Sequence, residues 1–324
     1  MGRARSGTAF RDLDGTGRAP PPTTLPRTWR TSWAGGALRT ARPKQWLKNI
    51  LVFAAPAAAG VLTHRHAALE SVAAFLIFCV VASGIYFVND ALDVEADRMH
   101  PRKRQRPIAA GIIGVRPALL LGAAMVAVGL ALSVAVNAKF LLVVAIYVGV
   151  QLAYSLWLKH EPVLDLAAIA AGFVLRAIAG GVAVGVPISE WFLIVATFGS
   201  FFMATGKRVA DRDTSDESQL ALRPVLTEYS AAYLRSILIL SATVSVTAYC
   251  LWAFENVKAV APGQGHAALW FELSIAPFTL ALMRYALQID RGHGGAPEDV
   301  VLGDRMLLAL AVLWAILFGL GVYR

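Results

Sequence analysis

Charge is what this sequence has least of. Only 16% of its 324 residues are Asp, Glu, Lys or Arg, while 57% are hydrophobic and the mean hydropathy is +0.59. A soluble domain has too small a core to hide that much apolar surface, so the composition excludes a water-soluble globular fold and makes the bilayer the solvent. Cysteine is nearly absent as well. Its two copies, Cys79 and Cys250, lie inside apolar stretches, which excludes a disulfide framework or a metal knuckle and leaves them as small core residues. The six histidines show no zinc spacing and no Walker sequence occurs. Gly15-Thr16-Gly17 lacks the third glycine of a dinucleotide fingerprint.

What is present is organised by the membrane. A hydrocarbon core about 30 Å thick needs roughly twenty apolar residues per helix, and the sequence offers nine candidate segments, at 45–62, 67–89, 117–136, 140–157, 163–186, 191–206, 231–254, 268–288 and 306–323. The first is the least regular, because it contains Pro56 and begins among charges. The expected fold is therefore an all-α polytopic bundle. Residues 1–39, rich in Arg, Pro, Gly, Ser and Thr, read as a disordered basic tail attracted to anionic lipid, followed by one transmembrane domain over 40–324.

The net charge of +9 would suit nucleic acid, but the thirty Lys and Arg residues sit at helix ends and in loops, so no nucleic-acid partner is expected. With the amino terminus inside, 23 of them face the cytoplasm and four face the other side. That asymmetry places the amino terminus in the cytoplasm and the protein in the plasma membrane as a multi-pass protein. Homo-oligomerisation is left open.

Chemistry concentrates where segment two runs into carboxylates, in Tyr86-Phe87-Val88-Asn89-Asp90-Ala91-Leu92-Asp93-Val94-Glu95-Ala96-Asp97. On a continuous helix Asn89, Asp93 and Asp97 share one face, with Tyr86 one turn before them. Hard oxygens in a row suit Mg²⁺, and like charges at i,i+4 destabilise a helix that has no cation to hold them. A basic loop follows, with Lys103, Arg104 and Arg106. Carboxylates for a metal beside cations for phosphate is what a diphosphate requires. Three more polar clusters face the same side: Lys44 to Lys48, Tyr154 to Lys159, and Lys207-Arg208. Arg176, in the middle of segment five, is costly there unless it lines a cavity or is a paired structural charge.

These residues resemble the UbiA superfamily of intramembrane prenyltransferases, whose Asn-Asp-x-x-Asp-x-x-x-Asp signature is matched by Asn89, Asp90, Asp93 and Asp97. The resemblance implies nine transmembrane helices around a cytoplasmic-side cavity that holds Mg²⁺ and a diphosphate. The second acidic signature of ordinary members is missing, and Gly206-Lys207-Arg208 stands in that loop. That pattern, with Arg42-Pro43-Lys44-Gln45-Trp46-Leu47-Lys48-Asn49, Arg106 to Gly111 and Leu175 to Gly181, is similar to the decaprenyl-phosphate phosphoribosyltransferase branch.

The branch implies transfer of 5-phosphoribose from phosphoribosyl diphosphate to a polyprenyl phosphate, so that the lipid is acceptor and not donor. It implies a catalytic group of Asn89, Asp90, Asp93 and Asp97, with Asn89, Asp93 and Asp97 on the metal. The expected substrate ligands are Tyr86, Lys44, Lys103, Arg104, Arg106, Tyr154 and Lys159, with Lys48, Arg176, Lys207 and Arg208 sharing the remaining phosphate charge. An aromatic prenyltransferase with a polyprenyl diphosphate donor, or a lipid transporter, remains the alternative.

Overall fold

Eight of the nine apolar segments form α-helices of 19 residues or more. The computed structural model describes residues 32–101, 103–213, 225–259, 265–292 and 297–323. The long helices are α3 (Arg65–Leu92), α5 (Val115–Val136), α6 (Ala138–Leu156), α7 (Leu164–Val184), α8 (Glu190–Asp213), α10 (Ala231–Ala259), α11 (Gly265–Asp290) and α13 (Arg305–Tyr323). Short helices α1 (Trp33–Ala41), α2 (Ala54–Ala58), α4 (Val94–Met99), α9 (Val225–Glu228) and α12 (Pro297–Gly303) join or cap them. Seven of the long helices are apolar enough to cross a membrane; α11, which carries Glu272, Arg284 and an internal Pro277, is not among them.

The helices differ in what surrounds them. The apolar span of α3 is 61% buried, whereas those of α5 and α13 are 17% and 11% buried, so α3 is central and the other two turn most of their apolar surface outward. This position brings the carboxylates at the end of α3 into contact with side chains from several elements. Helices α3 and α5 approach closely through Gly84 and Gly122: a Cβ on either would stand 2.8 Å from the other's carbonyl oxygen.

Segment one departs from expectation. In place of a spanning α-helix, residues Pro43–Phe53 form a 3₁₀ helix that continues into α2. Runs of this length are uncommon, because 3₁₀ hydrogen bonds are poorer than α bonds. Its burial explains the choice: Asn49, Val52 and Ala55 are buried, while Lys44, Leu47 and Ile50 are exposed, a period of three that only a three-residue turn keeps on one face. Trp46 Nε1 donates to Ser83 Oγ at 3.0 Å and Asn49 accepts from Arg176. A Cβ added at Gly180 of α7 would lie 1.6 Å from the Val52 carbonyl oxygen, so the two backbones touch there. Gly180→Ala is expected to displace the 3₁₀ segment and to lower the melting temperature of the detergent-purified protein by a few degrees, as overpacking costs about 1–3 kcal/mol or more. An unchanged melt would deny the contact.

The proposed boundary at residue 39 also shifts. Residues 33–39 belong to α1, capped by Ser32, whose Oγ accepts from Gly35 N–H at 3.1 Å. The helix packs on α3, with Gly36 against Ile112 and Ile113. The tail as read from composition now concerns residues 1–31, which lie outside the described residues.

At the other end of the chain Asp304 ties two helices together. Its Oδ1 accepts from Met306 and Leu307 N–H, capping α13, and its Oδ2 accepts from Arg284 Nε at 2.8 Å. The Arg284 bond, with the capping amides, holds this carboxyl down at about 2, so the clamp stays charged at any physiological pH.

Candidate active site

The acidic row does not behave as one face. Helix α3 ends at Leu92 and α4 begins at Val94, with Asp93 at the junction (φ −89, ψ 9), although Asp93 N–H still reaches Asn89 O and Asp97 N–H still reaches Asp93 O. The four side chains divide into two pairs. Asp90 and Asp97, seven residues apart and both 2% exposed, meet on Arg106, whose Nη1 lies 3.0 Å from Asp90 Oδ1 and 2.6 Å from Asp97 Oδ2. Arg42 adds a second cation, 2.5 Å from Asp90 Oδ1, and Lys103 lies 3.8 Å from Asp97.

Asn89 and Asp93, four residues apart, form the other pair. Lys159 Nζ is 2.7 Å from Asp93 Oδ1, and Ser155 Oγ donates to Asn89 Oδ1. The repulsion that seemed to demand a metal is thus met by the protein's own cations, because a buried carboxylate must be paired. In this structure the Asp97 oxygens face Arg106 and Lys103, away from the pair of Asn89 and Asp93. Among the described residues, no group of three or more His, Cys, Asp or Glu could hold a metal ion.

The donor set that does fit is smaller. Asn89 and Asp93 are both partly exposed and offer one amide oxygen and one carboxylate. Mg²⁺ takes one or two carboxylates together with substrate phosphates and keeps several waters, so this pair suits a metal that arrives with a diphosphate.

Other expected ligands are distributed as follows. Tyr86 lies under Arg42, whose guanidinium is 4.6 Å from the ring centroid. Lys44 and Arg104 are exposed, and Lys207 is half-buried on α8 beside Arg208. Lys48 reaches over the Phe173 ring at 6.0 Å. Arg208 is 4% exposed and bonded to Asp165, Asp211 and Tyr154.

Arg176 is buried and paired within the bundle. It is 5% exposed, and its three nitrogens donate to Asn49 Oδ1, the Gly172 carbonyl and Tyr147 OH at 2.5–2.8 Å. A cation so engaged pins the 3₁₀ segment to α6 and α7.

Sequence reasoning misses Arg42 and Ser155 as single members of the site. Arg42 adopts φ 53, ψ 63, a left-handed conformation that is uncommon for a residue with a Cβ and that aims its side chain at Asp90. The signal was the Arg42-Pro43 step between two helical stretches. Ser155 carried none, since a serine at a helix end is ordinary.

Beside the 3₁₀ segment lies an apolar cavity of about 790 Å³. Its walls include Leu47, Ile50 and Phe53 of that segment, Phe173 of α7, and Tyr249 and Trp314 of the aromatic cluster between α10 and α13. Among the described residues lining it, Lys48 alone carries a charge.

Residues 50–311 match the UbiA prenyltransferase family. The chain belongs to this family. Relatives within reach of sequence comparison include the decaprenyl-phosphate phosphoribosyltransferase of Corynebacterium glutamicum, 44% identical over 294 residues that cover 90% of this chain and 87% of the relative. The protein of the same name from Mycolicibacterium smegmatis is also 44% identical, covering 89% and 92%. In three dimensions this UbiA-family chain is similar to a UbiA homolog from Archaeoglobus fulgidus solved with GPP and Mg²⁺, with a TM-score of 0.66 at 20% identity, over 89% of this chain and 99% of the other. At that identity the likeness concerns the fold: an all-helical UbiA bundle, with no strand among the described residues.

Proposed function

We propose that this protein transfers 5-phosphoribose from 5-phosphoribosyl 1-diphosphate to decaprenyl phosphate, releasing diphosphate, with Mg²⁺ and at the cytoplasmic face of the plasma membrane, as a step toward cell-wall arabinan. The observation that carries this reading is the apolar cavity with Lys48 as its charged lining residue among the described residues. A lipid tail with a single phosphate fits such a space. The 44% identity to decaprenyl-phosphate phosphoribosyltransferases, over nine-tenths of the chain, supports transfer of phosphoribose to decaprenyl phosphate.

In this reading Asn89 and Asp93 hold the metal, which, when bound, neutralises charge on the departing diphosphate. Lys159, Lys103 and Arg106 stand on Asp93 and on Asp97 or Asp90, from which each turns a remaining N–H toward donor oxygens. Tyr86, Lys44 and Lys207 complete the donor's surroundings. The C1–O bond to diphosphate breaks as a C1–O bond to the lipid phosphate forms on the opposite face, inverting the anomeric centre. A phosphate monoester has a second pKa of about 6, so it attacks as an anion without a protein base, which agrees with the lack of a catalytic histidine in the motif.

The test is a transfer assay in detergent, with labelled phosphoribosyl diphosphate, Mg²⁺ and a polyprenyl phosphate. Labelled lipid supports the reading, and turnover without a sealed vesicle argues against transport. Unlabelled lipid together with prenylation of an aromatic acid would sink it. Lys48→Ala is expected to raise the KM for the polyprenyl phosphate by about tenfold, the worth of one charge-assisted contact, with the KM for the sugar donor unchanged. A donor-only effect would move Lys48 out of the acceptor site.

A further inference from the structure

At the end of the bundle that carries the acidic row, one strained turn and three buried polar side chains form a connected chain. Val163 has φ 67, ψ −46, and Leu164 N–H donates to the Pro162 carbonyl at 2.8 Å, closing a γ-turn of the rare positive-φ kind. A β-branched residue resists that conformation, so something must hold it. Val163 N–H donates at 2.7 Å to the hydroxyl of Tyr229, which follows α9 and is 2% exposed. That hydroxyl donates in turn to Asp165 Oδ1. Asp165, fully buried, accepts Arg208 Nε on Oδ2 at 2.7 Å, and Arg208 Nη2 donates to Tyr154 OH at 3.1 Å.

The direction of these bonds has a chemical consequence. Tyr154 OH accepts from Arg208, so its own proton is left to point elsewhere. Its neighbour on α6, Ser155, already touches Asn89. Tyr154 is itself partly exposed, so a hydroxyl donor there is open to a ligand. Arg208, 4% exposed and held on Asp165, Asp211 and Tyr154, is built to aim this hydroxyl. Burial, with the Asp165 bond adding to it, pushes the Tyr229 phenol well above its ordinary range, so it remains a donor at working pH.

We propose that Tyr229, Asp165 and Arg208 are positioning residues that act through Tyr154, whose hydroxyl donates a hydrogen bond to the phosphoribosyl donor. The inference rests on the phosphoribosyl reading given above. It reassigns Arg208 from phosphate ligand to organiser, and it gives the segment after α9 a part in donor binding.

The experiment measures binding of phosphoribosyl diphosphate with Mg²⁺ by calorimetry on the detergent-purified full chain, without lipid acceptor, so that nothing turns over. Tyr154→Phe is expected to raise Kd by about tenfold. Tyr229→Phe keeps the ring stacked against Tyr233 and removes only the hydroxyl. It is expected to give a similar rise, and the Tyr154→Phe/Tyr229→Phe double variant to bind no more weakly than either single one, because both act on one hydrogen bond. Arg208→Lys, which keeps the charge and loses the fork that reaches both Asp165 and Tyr154, serves as a second variant and should show the same lack of additivity. An unchanged Kd in the single variants, or effects that multiply in the doubles, would overturn the proposal while leaving the functional reading intact. A wild-type protein that does not bind phosphoribosyl diphosphate would overturn both.

Discussion

Asp93→Asn is expected to lower phosphoribosyl transfer by about two to three orders of magnitude, the scale seen when one electrostatic partner of a transition state is removed. The reason is specific to this carboxylate. Asp90 and Asp97 are 2% exposed and clamped by arginine, whereas the Asp93 side chain is 36% exposed and, among the described residues, held by Lys159. It alone of the three can exchange its partner for a cation brought by substrate. The amide keeps the shape and one acceptor oxygen, so the melting temperature should be unchanged. Turnover at saturating donor, lipid and Mg²⁺ is the measurement. Wild-type rates in the variant would take Asp93 off the metal, and a lower melt with the same rate would make its role structural.

Arg106→Met should have the largest effect on stability. One guanidinium nitrogen serves two buried carboxylates, and its loss leaves Asp97, among the described residues, with Lys103 at 3.8 Å, while Asp90 keeps Arg42. Breaking a buried pair costs about 3–5 kcal/mol, chiefly because a charge is left without a partner. The remaining cations put this case near the lower bound. For a chain of this length that corresponds to a fall in melting temperature of about four to five degrees. The diagnostic measurement is the melt of Arg106→Met/Asp97→Asn. Removing the stranded carboxylate should recover much of the loss, and a double variant no more stable than Arg106→Met would show that Arg106 supports the fold by packing and not by pairing.

How much of this was legible in the sequence follows from which signals are local. Hydropathy runs gave the long helices to within a few residues, because burial in lipid acts on every residue of a span, except that α8 and α10 run on past their apolar stretches by seven and five residues, to Asp213 and Ala259. The acidic row and its basic loop were visible as types in a pattern. Their pairing was not, since it depends on whether Asp97 turns toward Asp93 or toward Arg106, and a helix that ends at Leu92 and restarts at Val94 decides that. Segment one misled for a related reason. Its apolar content matches a spanning helix, and only the period of three in Asn49, Val52 and Ala55 distinguishes the 3₁₀ form. Arg176 read as a lone charge in an apolar helix, and its partners Asn49 and Tyr147 come from 127 and 29 residues away. Tyr229 carried no signal at all, because a tyrosine near a loop is unremarkable until a carboxylate and a strained amide are found beside it.

The 3₁₀ segment also sets what kind of change the cavity wall can absorb. With three residues to the turn, one row of side chains grips the bundle and the other two rows face the cavity, so Leu47 and Ile50 can vary in size with little effect on the grip. Length is another matter. One residue inserted or removed between Pro43 and Phe53 would rotate everything beyond it by about a third of a circle, carrying Asn49 away from Arg176 or Lys48 away from the cavity. Such a wall is permissive toward substitution and rigid in its reading frame.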